Sequence, residues 1–341
     1  MTRSCDTGAM AEQKSMSASK AGPSGAIGVH KSSRDDFVHA DIRLMGDRGK
    51  PYVPDMLPPI KSYKEDSPET HLHVGDCRDV LNWLPQKGEV DLIFADPPFN
   101  WDVPYDGWSD DMARSAYERF TFEWLDACID ALSPKGSLWV NIPDDTAAEI
   151  VMHLKRRGLV MVNWCVWHFR FGQCRNSSFI MSKVHALYFC KDPDHRTWNP
   201  DSILEVSDRA SIYGDKRTME KASNKGMRVP MDVWYGKYWG RIQGNNAERR
   251  AGHQNQIPEV YLERVILSCS NEGDLVLDPF AGSGTSGTVA RAHGRRSIGI
   301  EQSEVTAESA WERITTIGMK RQGASVGQST AIFSKRSGQT P

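Results

Sequence analysis

Apolar residues recur along this chain at strand length and at helix spacing by turns. Val90-Asp91-Leu92-Ile93-Phe94-Ala95 is a nearly continuous apolar run, as in a strand buried on both faces of a parallel sheet. Further strands are predicted at His71-Leu72-His73-Val74, Leu138 to Ile142, Val160 to Phe169, His185 to Cys190, Leu275 to Asp278 and Arg296 to Glu301. Between them the spacing turns helical. Asp79 to Leu84 predicts a short helix. From Met112 to Leu132, the residues Tyr117, Phe120, Trp124, Leu125, Cys128, Ile129 and Leu132 fall on one face, and Ser133-Pro134-Lys135-Gly136 stops the helix. Asp144 or Asp145 is a candidate cap for a helix to Arg157, which Gly158 ends. Pro258 suits the first turn of a helix carrying Val260, Leu262, Val265, Ile266 and Cys269. Another follows Thr285 through Arg291, and Ser303 opens one that runs past Ile314. Strands and helices alternating at these lengths predict an α/β fold, a parallel-rich sheet with helices on both faces.

The pattern fails in three places. Residues 1–60 are rich in Ser, Gly, Ala and Lys and predict a disordered amino-terminal tail, within which Met10 and Met16 are alternative starts. Residues 319–341 predict a flexible carboxyl-terminal tail. From Lys191 to about Arg250, prolines, glycines, charges and aromatics replace periodicity. Between Val166 and Gly252, 15 lysines and arginines stand against 9 aspartates and glutamates, although the whole chain carries a net charge of −2. Positive charge mixed with Trp198, Tyr213, Trp234, Tyr235, Tyr238 and Trp239 suits a nucleic-acid surface; a solvated irregular lobe is the other reading.

Composition adds bounds. At 341 residues the chain has room for one large α/β domain and an inserted lobe. Seven scattered cysteines and a polar amino terminus suit free thiols in a reducing cytoplasm. No apolar run approaches a membrane span. The Cys and His residues between Cys165 and His195 lack a Cys-x-x-Cys spacing, so no metal site is predicted.

Two turns carry candidate chemistry. After the strand at 90–95 comes Asp96-Pro97-Pro98-Phe99. Two prolines end the strand and stiffen the turn. It offers a carboxylate, carbonyls with no helical partner and an aromatic ring, a set that can hold a planar amino group. After the strand at 275–278 comes Pro279-Phe280-Ala281-Gly282-Ser283-Gly284-Thr285, a glycine-rich turn into a helix. Its glycines admit close backbone approach, and the helix start favours electron-rich groups. Glu301, at the end of the following strand, is placed to accept two ribose hydroxyls. Gly282, Gly284 and Gly287 with Glu301 also fit a nicotinamide-dinucleotide dehydrogenase, a reading that leaves the Asp96 turn unexplained.

In this order, the Asp96-Pro97-Pro98-Phe99 turn, the basic region and the Asp278–Thr285 turn resemble an amino-group DNA methyltransferase of the β class. Gly75-Asp76-Cys77, Asp232-Val233-Trp234 and Arg249 through Glu259 add to the likeness, which covers roughly residues 70–317. Ile257 departs from it, standing where the family often has a lysine. The resemblance implies a Rossmann-like S-adenosyl-L-methionine-dependent methyltransferase fold with permuted motif order and a mixed, mostly parallel seven-stranded sheet. Residues 61–190 would form the catalytic half, 191–250 the target-recognition region and 251–318 the cofactor-binding half.

The implied cofactor residues are Asp76, Cys77, Gln256, Pro258, Asp278, Pro279, Phe280, Ala281, Gly282, Ser283, Gly284, Thr285 and Glu301. Asp76 and the Cys77 backbone would meet the adenine of the cofactor. Asp96 and the Pro97 carbonyl would accept the exocyclic amine of a flipped base, with Pro98 stiffening the turn and Phe99 stacking on the base. Lys225, Arg228, Arg241, Arg249 and Arg250 would contact double-stranded DNA. An acidic residue first in the motif is typical of adenine-N6 enzymes. Cytosine-N4 methylation, an RNA or protein-amide substrate and a non-catalytic DNA-binding module are the alternatives. A cognate restriction endonuclease and a second copy of the chain are partners that the resemblance leaves open.

Overall fold

The computed structural model describes residues 57–106, 108, 110–169, 176–214, 226–235, 239–240, 242, 248–250 and 255–321. Both predicted tails lie outside these residues, apart from 57–60 and 319–321. The first elements are a hairpin of β1 (Lys61–Asp66) and β2 (Glu69–Val74), then α1 (Cys77–Trp83), β3 (Val90–Ala95), α2 (Arg114–Ala131), β4 (Leu132–Ile142), α3 (Asp144–Arg156), β5 (Val160–His168) and β6 (Lys183–Cys190). The basic region contributes a 3-10 turn at Pro200–Ile203, β7 (Glu205–Val206), the single turn α4 (Asp208–Ser211), β8 (Met227–Arg228) and β9 (Val233–Trp234). Then come α5 (Glu259–Cys269), β10 (Leu275–Asp278), α6 (Thr285–Ala292), β11 (Arg296–Glu301) and α7 (Glu304–Arg321).

The main sheet has the order β1-β2-β11-β10-β3-β4-β6-β5-β9, and β7 and β8 form a separate ribbon. β2, β11, β10, β3 and β4 are parallel neighbours, while β6 is antiparallel to both β4 and β5. Among the described residues the sheet has nine strands where seven were expected; β1 and β9 extend its two edges. β1 escapes a hydrophobicity pattern because Lys-Ser-Tyr-Lys-Glu-Asp has one apolar side chain and alternates half-buried with exposed. Order thus begins before His71. β9 is two residues long, too short for a period.

Side-chain alternation assigns the two faces. Ile93 and Ala95 of β3 pack with Leu138 and Val140 of β4 against Leu125, Cys128 and Ile129 of α2 and Ile150 of α3. Leu92 and Phe94 point the other way, into a core with Trp139, Val260, Tyr261 and Val265. Three local expectations need correction. Neither Asp144 nor Asp145 caps α3: Pro143 occupies that position without a side-chain bond, and Asp144 turns instead to Lys183 and His185 on β6. Pro258 precedes α5 as its cap residue rather than sitting in the first turn. The Ser133–Gly136 segment, expected to stop α2, follows its end at Ala131 and is already strand, with a register shift between Val90 and Leu92 where β3 pairs β4.

Candidate active site at the carboxyl ends of the parallel strands

Because β2, β11, β10, β3 and β4 run in one direction, their carboxyl ends open at one edge of the sheet, where α/β proteins bind ligands. Those ends carry Gly75 and Asp76, Glu301, Asp278, Asp96 and Asn141 respectively. A cavity of about 260 Å³ lies there, lined by Asp76, Asp96–Phe99, Phe280–Ser283 and Glu301 among others. The two turns singled out in the sequence, far apart along the chain, therefore share one cavity. The pairing of Leu277 with Ile93 across β10 and β3 brings them together.

The glycine-rich turn is held from two sides. Glu301 accepts the Gly282 N–H at 2.9 Å through one carboxylate oxygen and the Ser303 N–H at 3.0 Å through the other. Burial pushes its carboxyl above the ordinary carboxylate range. Asp278 accepts the Phe280 N–H at 2.9 Å and the Ser286 hydroxyl, and burial pushes its carboxyl up to about 7. Gly282 has φ +49° and Gly284 φ +73°. Gly284 does not line the cavity: a Cβ there would meet the Ala310 carbonyl at 3.0 Å, so its hydrogen lets α6 lie close to α7.

At the β2 end, Asp76 caps α1 by accepting the Arg78 N–H at 2.9 Å. The Arg78 guanidinium bonds the same carboxylate at 3.1 and 2.8 Å and reaches Glu123 at 2.7 Å. Cys77 is a buried thiol at the start of α1, its pKa raised by desolvation. Gln256 lines the cavity, yet its amide is used at both ends, donating to the Glu248 carbonyl at 2.6 Å and accepting the Arg250 N–H at 3.0 Å. Pro258 lies off the cavity wall.

The catalytic candidate turn is equally anchored. Tyr117 donates to the Pro98 carbonyl at 2.7 Å. Asn141 donates to Asp96 at 2.6 Å, and the Phe99 ring meets Trp101 edge-on at 5.3 Å. Beyond Phe99 the chain loops back under the control of one buried carboxylate. Asp110 accepts the N–H groups of Asn100, Trp101 and Val103 at 2.8, 2.9 and 3.1 Å, with Asn100 at φ +59° and Asp102 at φ +56°. This loop brings Tyr105, Asp106 and Trp108 to the cavity wall, and the Ser303 hydroxyl donates to Asp106 at 2.8 Å.

Residues 90–312, a span containing both turns, match the DNA methylase family of N6 and N4 methyltransferases. The chain belongs to this DNA methylase family. It is similar to the DNA adenine methyltransferase YhdJ of Escherichia coli K12, with 34% identity over 244 residues, 68% of this methylase and 78% of YhdJ. The Type II methyltransferase M.BamHI of Bacillus amyloliquefaciens is 34% identical over 241 residues, 67% of this chain and 54% of its own, so the methylase spans about half of that relative. Among solved structures, the M1.HpyAVI–SAM complex shares the fold with a TM-score of 0.50 at 20% identity, covering 72% of this chain and 98% of that one.

The methylase's residues fit S-adenosyl-L-methionine. The Glu301 carboxylate, the backbone at Gly282, the start of α1 and the rings of Phe280 and Trp108 border one cavity, and they match the hydroxyls, amines and flat base of that molecule. The candidate DNA contacts are placed less uniformly. Arg228 pairs with Glu205 at 3.4 Å and Asp208 at 3.0 Å, joining the β7–β8 ribbon to α4. The Arg250 N–H bonds the Gln256 amide, and neither Arg249 nor Arg250 lines the cavity. Lys225 and Arg241 lie outside the described residues. Sequence reasoning missed Asn141, Tyr117 and the loop through Asp110. Asn141 alone carried a signal: an amide in an apolar strand, one residue before the strand's end.

Proposed function

We propose that this methylase transfers a methyl group from S-adenosyl-L-methionine to the N6 amine of adenine in double-stranded DNA. The observation that carries this reading is the shared cavity, in which the Asp96 turn faces the Gly282 turn and Glu301. When bound, the cofactor supplies an electrophilic methyl. Asp96 and the Pro97 carbonyl accept the two N–H bonds of the amine, which draws its nitrogen towards tetrahedral geometry and frees its lone pair. The prolines and Tyr117 fix the turn, so catalysis is mainly positioning and electrostatics. Phe99 stacks on a base flipped out of the duplex. Glu301 holds the ribose, and Asp76 with the Cys77 N–H holds the cofactor's adenine. Residues 191–250 read the target, with Arg249, Arg250, Lys225 and Arg241 supplying phosphate contacts.

Adenine is favoured over cytosine by the carboxylate at Asp96 and by the likeness to YhdJ, whose name specifies adenine. The likeness to M.BamHI, named a Type II methyltransferase, supports a cognate restriction endonuclease as partner in a bacterial cytoplasm. Among the described residues no helix is long and apolar enough to cross a membrane.

The test is single-turnover methyl transfer to duplex DNA, with digestion and chromatography of the product bases. N6-methyladenine is the expected product. Asp96→Ala lowers the rate by at least about 10²-fold while cofactor affinity holds. N4-methylcytosine in the product, or near-normal transfer by Asp96→Ala, overturns the reading.

A further inference from the structure

Asn141 is 1% exposed, in a strand whose inward neighbours are apolar. Its amide is engaged at both ends. The Nδ2 group donates to Asp96 Oδ1 at 2.6 Å, and Oδ1 accepts the Tyr261 hydroxyl at 3.4 Å. A carboxylate oxygen can only accept, so the amide's orientation is dictated by its partner. Tyr261 is itself immobilised. It is fully buried on α5, with Phe94, Trp167 and Trp234 edge-on around its ring at 5.7, 5.5 and 5.1 Å.

We infer that Asn141 is a positioning residue for the reaction, acting through Asp96. By holding Oδ1, it fixes the plane in which the carboxylate meets the substrate amine. Tyr261 prevents the Asn141 amide from turning over. The inference rests on the proposed amine methylation and adds a rule about the turn. The residue at 96 can accept the amine only while the residue at 141 donates to its other atom. Were residue 96 an asparagine, Asn141 would take its oxygen and turn its NH2 towards the substrate, donor against donor. An acceptor at 141 would reverse that amide and turn its oxygen to the amine.

The experiment is an exchange of the two side chains. Single-turnover methylation and cofactor affinity are measured for Asp96→Asn, Asn141→Asp and the double variant, with thermal unfolding as a check on the fold. Asp96→Asn is expected to slow transfer by about 10²-fold or more with cofactor affinity kept. Asn141→Asp alone is also slow, and its rate–pH profile gains a new ionisation because two adjacent carboxylates share a proton. The double variant is expected to recover at least about tenfold over Asp96→Asn. A purely structural role for Asn141 predicts no recovery, and that result overturns the inference while leaving the Asp96 reading standing. Normal methylation by Asp96→Asn would instead remove the reading beneath it. Should the double variant fail to fold, Tyr261→Phe decides. A several-fold fall in rate at unchanged cofactor KM supports the relay, and an unchanged rate overturns it.

Discussion

Asp278 ends β10 with its carboxyl enclosed, and burial raises its pKa from an ordinary 3.8 to about 7. The folded state therefore holds this proton more tightly than the unfolded chain. Its stabilising contribution is complete below about 4 and is lost as pH rises through about 7. Asp278→Asn keeps a partner for the Phe280 N–H and for Ser286 but has no charge to bury. Melting temperatures of the two proteins should diverge between about pH 4 and 7, the wild type falling relative to the variant. Parallel curves would refute this. Glu301 carries a different load. Its carboxylate binds the Gly282 and Ser303 N–H groups and is proposed to hold the ribose. Glu301→Ala should weaken S-adenosyl-L-methionine by about 1.5–3 kcal/mol in calorimetric titration and also lower the melting temperature without ligand. The main residues of the cavity were legible because each ends a strand in a fixed motif. Asn141 and Tyr117 were not, because their partners are turn atoms distant in sequence, at Asp96 and Pro98.

Among elements, the turn from β10 into α6 shows why one motif needs two glycines for different reasons. Gly282 lines the cavity, while Gly284, at φ +73°, faces the Ala310 carbonyl and the Ile314 side chain of α7. Gly284→Ala adds a methyl in a left-handed conformation against backbone. It should cost about 1–3 kcal/mol in denaturant unfolding. Cofactor affinity per folded molecule should stay nearly unchanged; a large affinity loss with normal stability would place Gly284 at the ligand instead. The long elements could be read from periodicity, since α2 and β3 are buried along one face or both. β1 and the loop after Phe99 could not. The first is a charged edge strand, and the second is shaped by Asp110 accepting three backbone N–H groups, which leaves no periodic trace.

At the scale of the whole molecule, the α/β class and the permuted order were legible, and the strand order was not, because adjacency between β3 and β10 is set by residues far apart in the chain. That adjacency has a consequence for how the protein is made. β2 and β3 are synthesised early but are not neighbours; β10 and β11, made well after them, fill the gap between them. Until residues 275–301 leave the ribosome, two interior strand edges stand open, a condition that invites aggregation. A chain ending at Ser270 should scatter light and show no cooperative melting transition, and supplying residues 271–341 during synthesis should restore a soluble, cofactor-binding complex. A monomeric truncated protein with a sharp transition would contradict this. The cavity is thus completed by the same insertion that closes the sheet. A nascent chain lacks one wall of this cavity until residues 275–301 have been made.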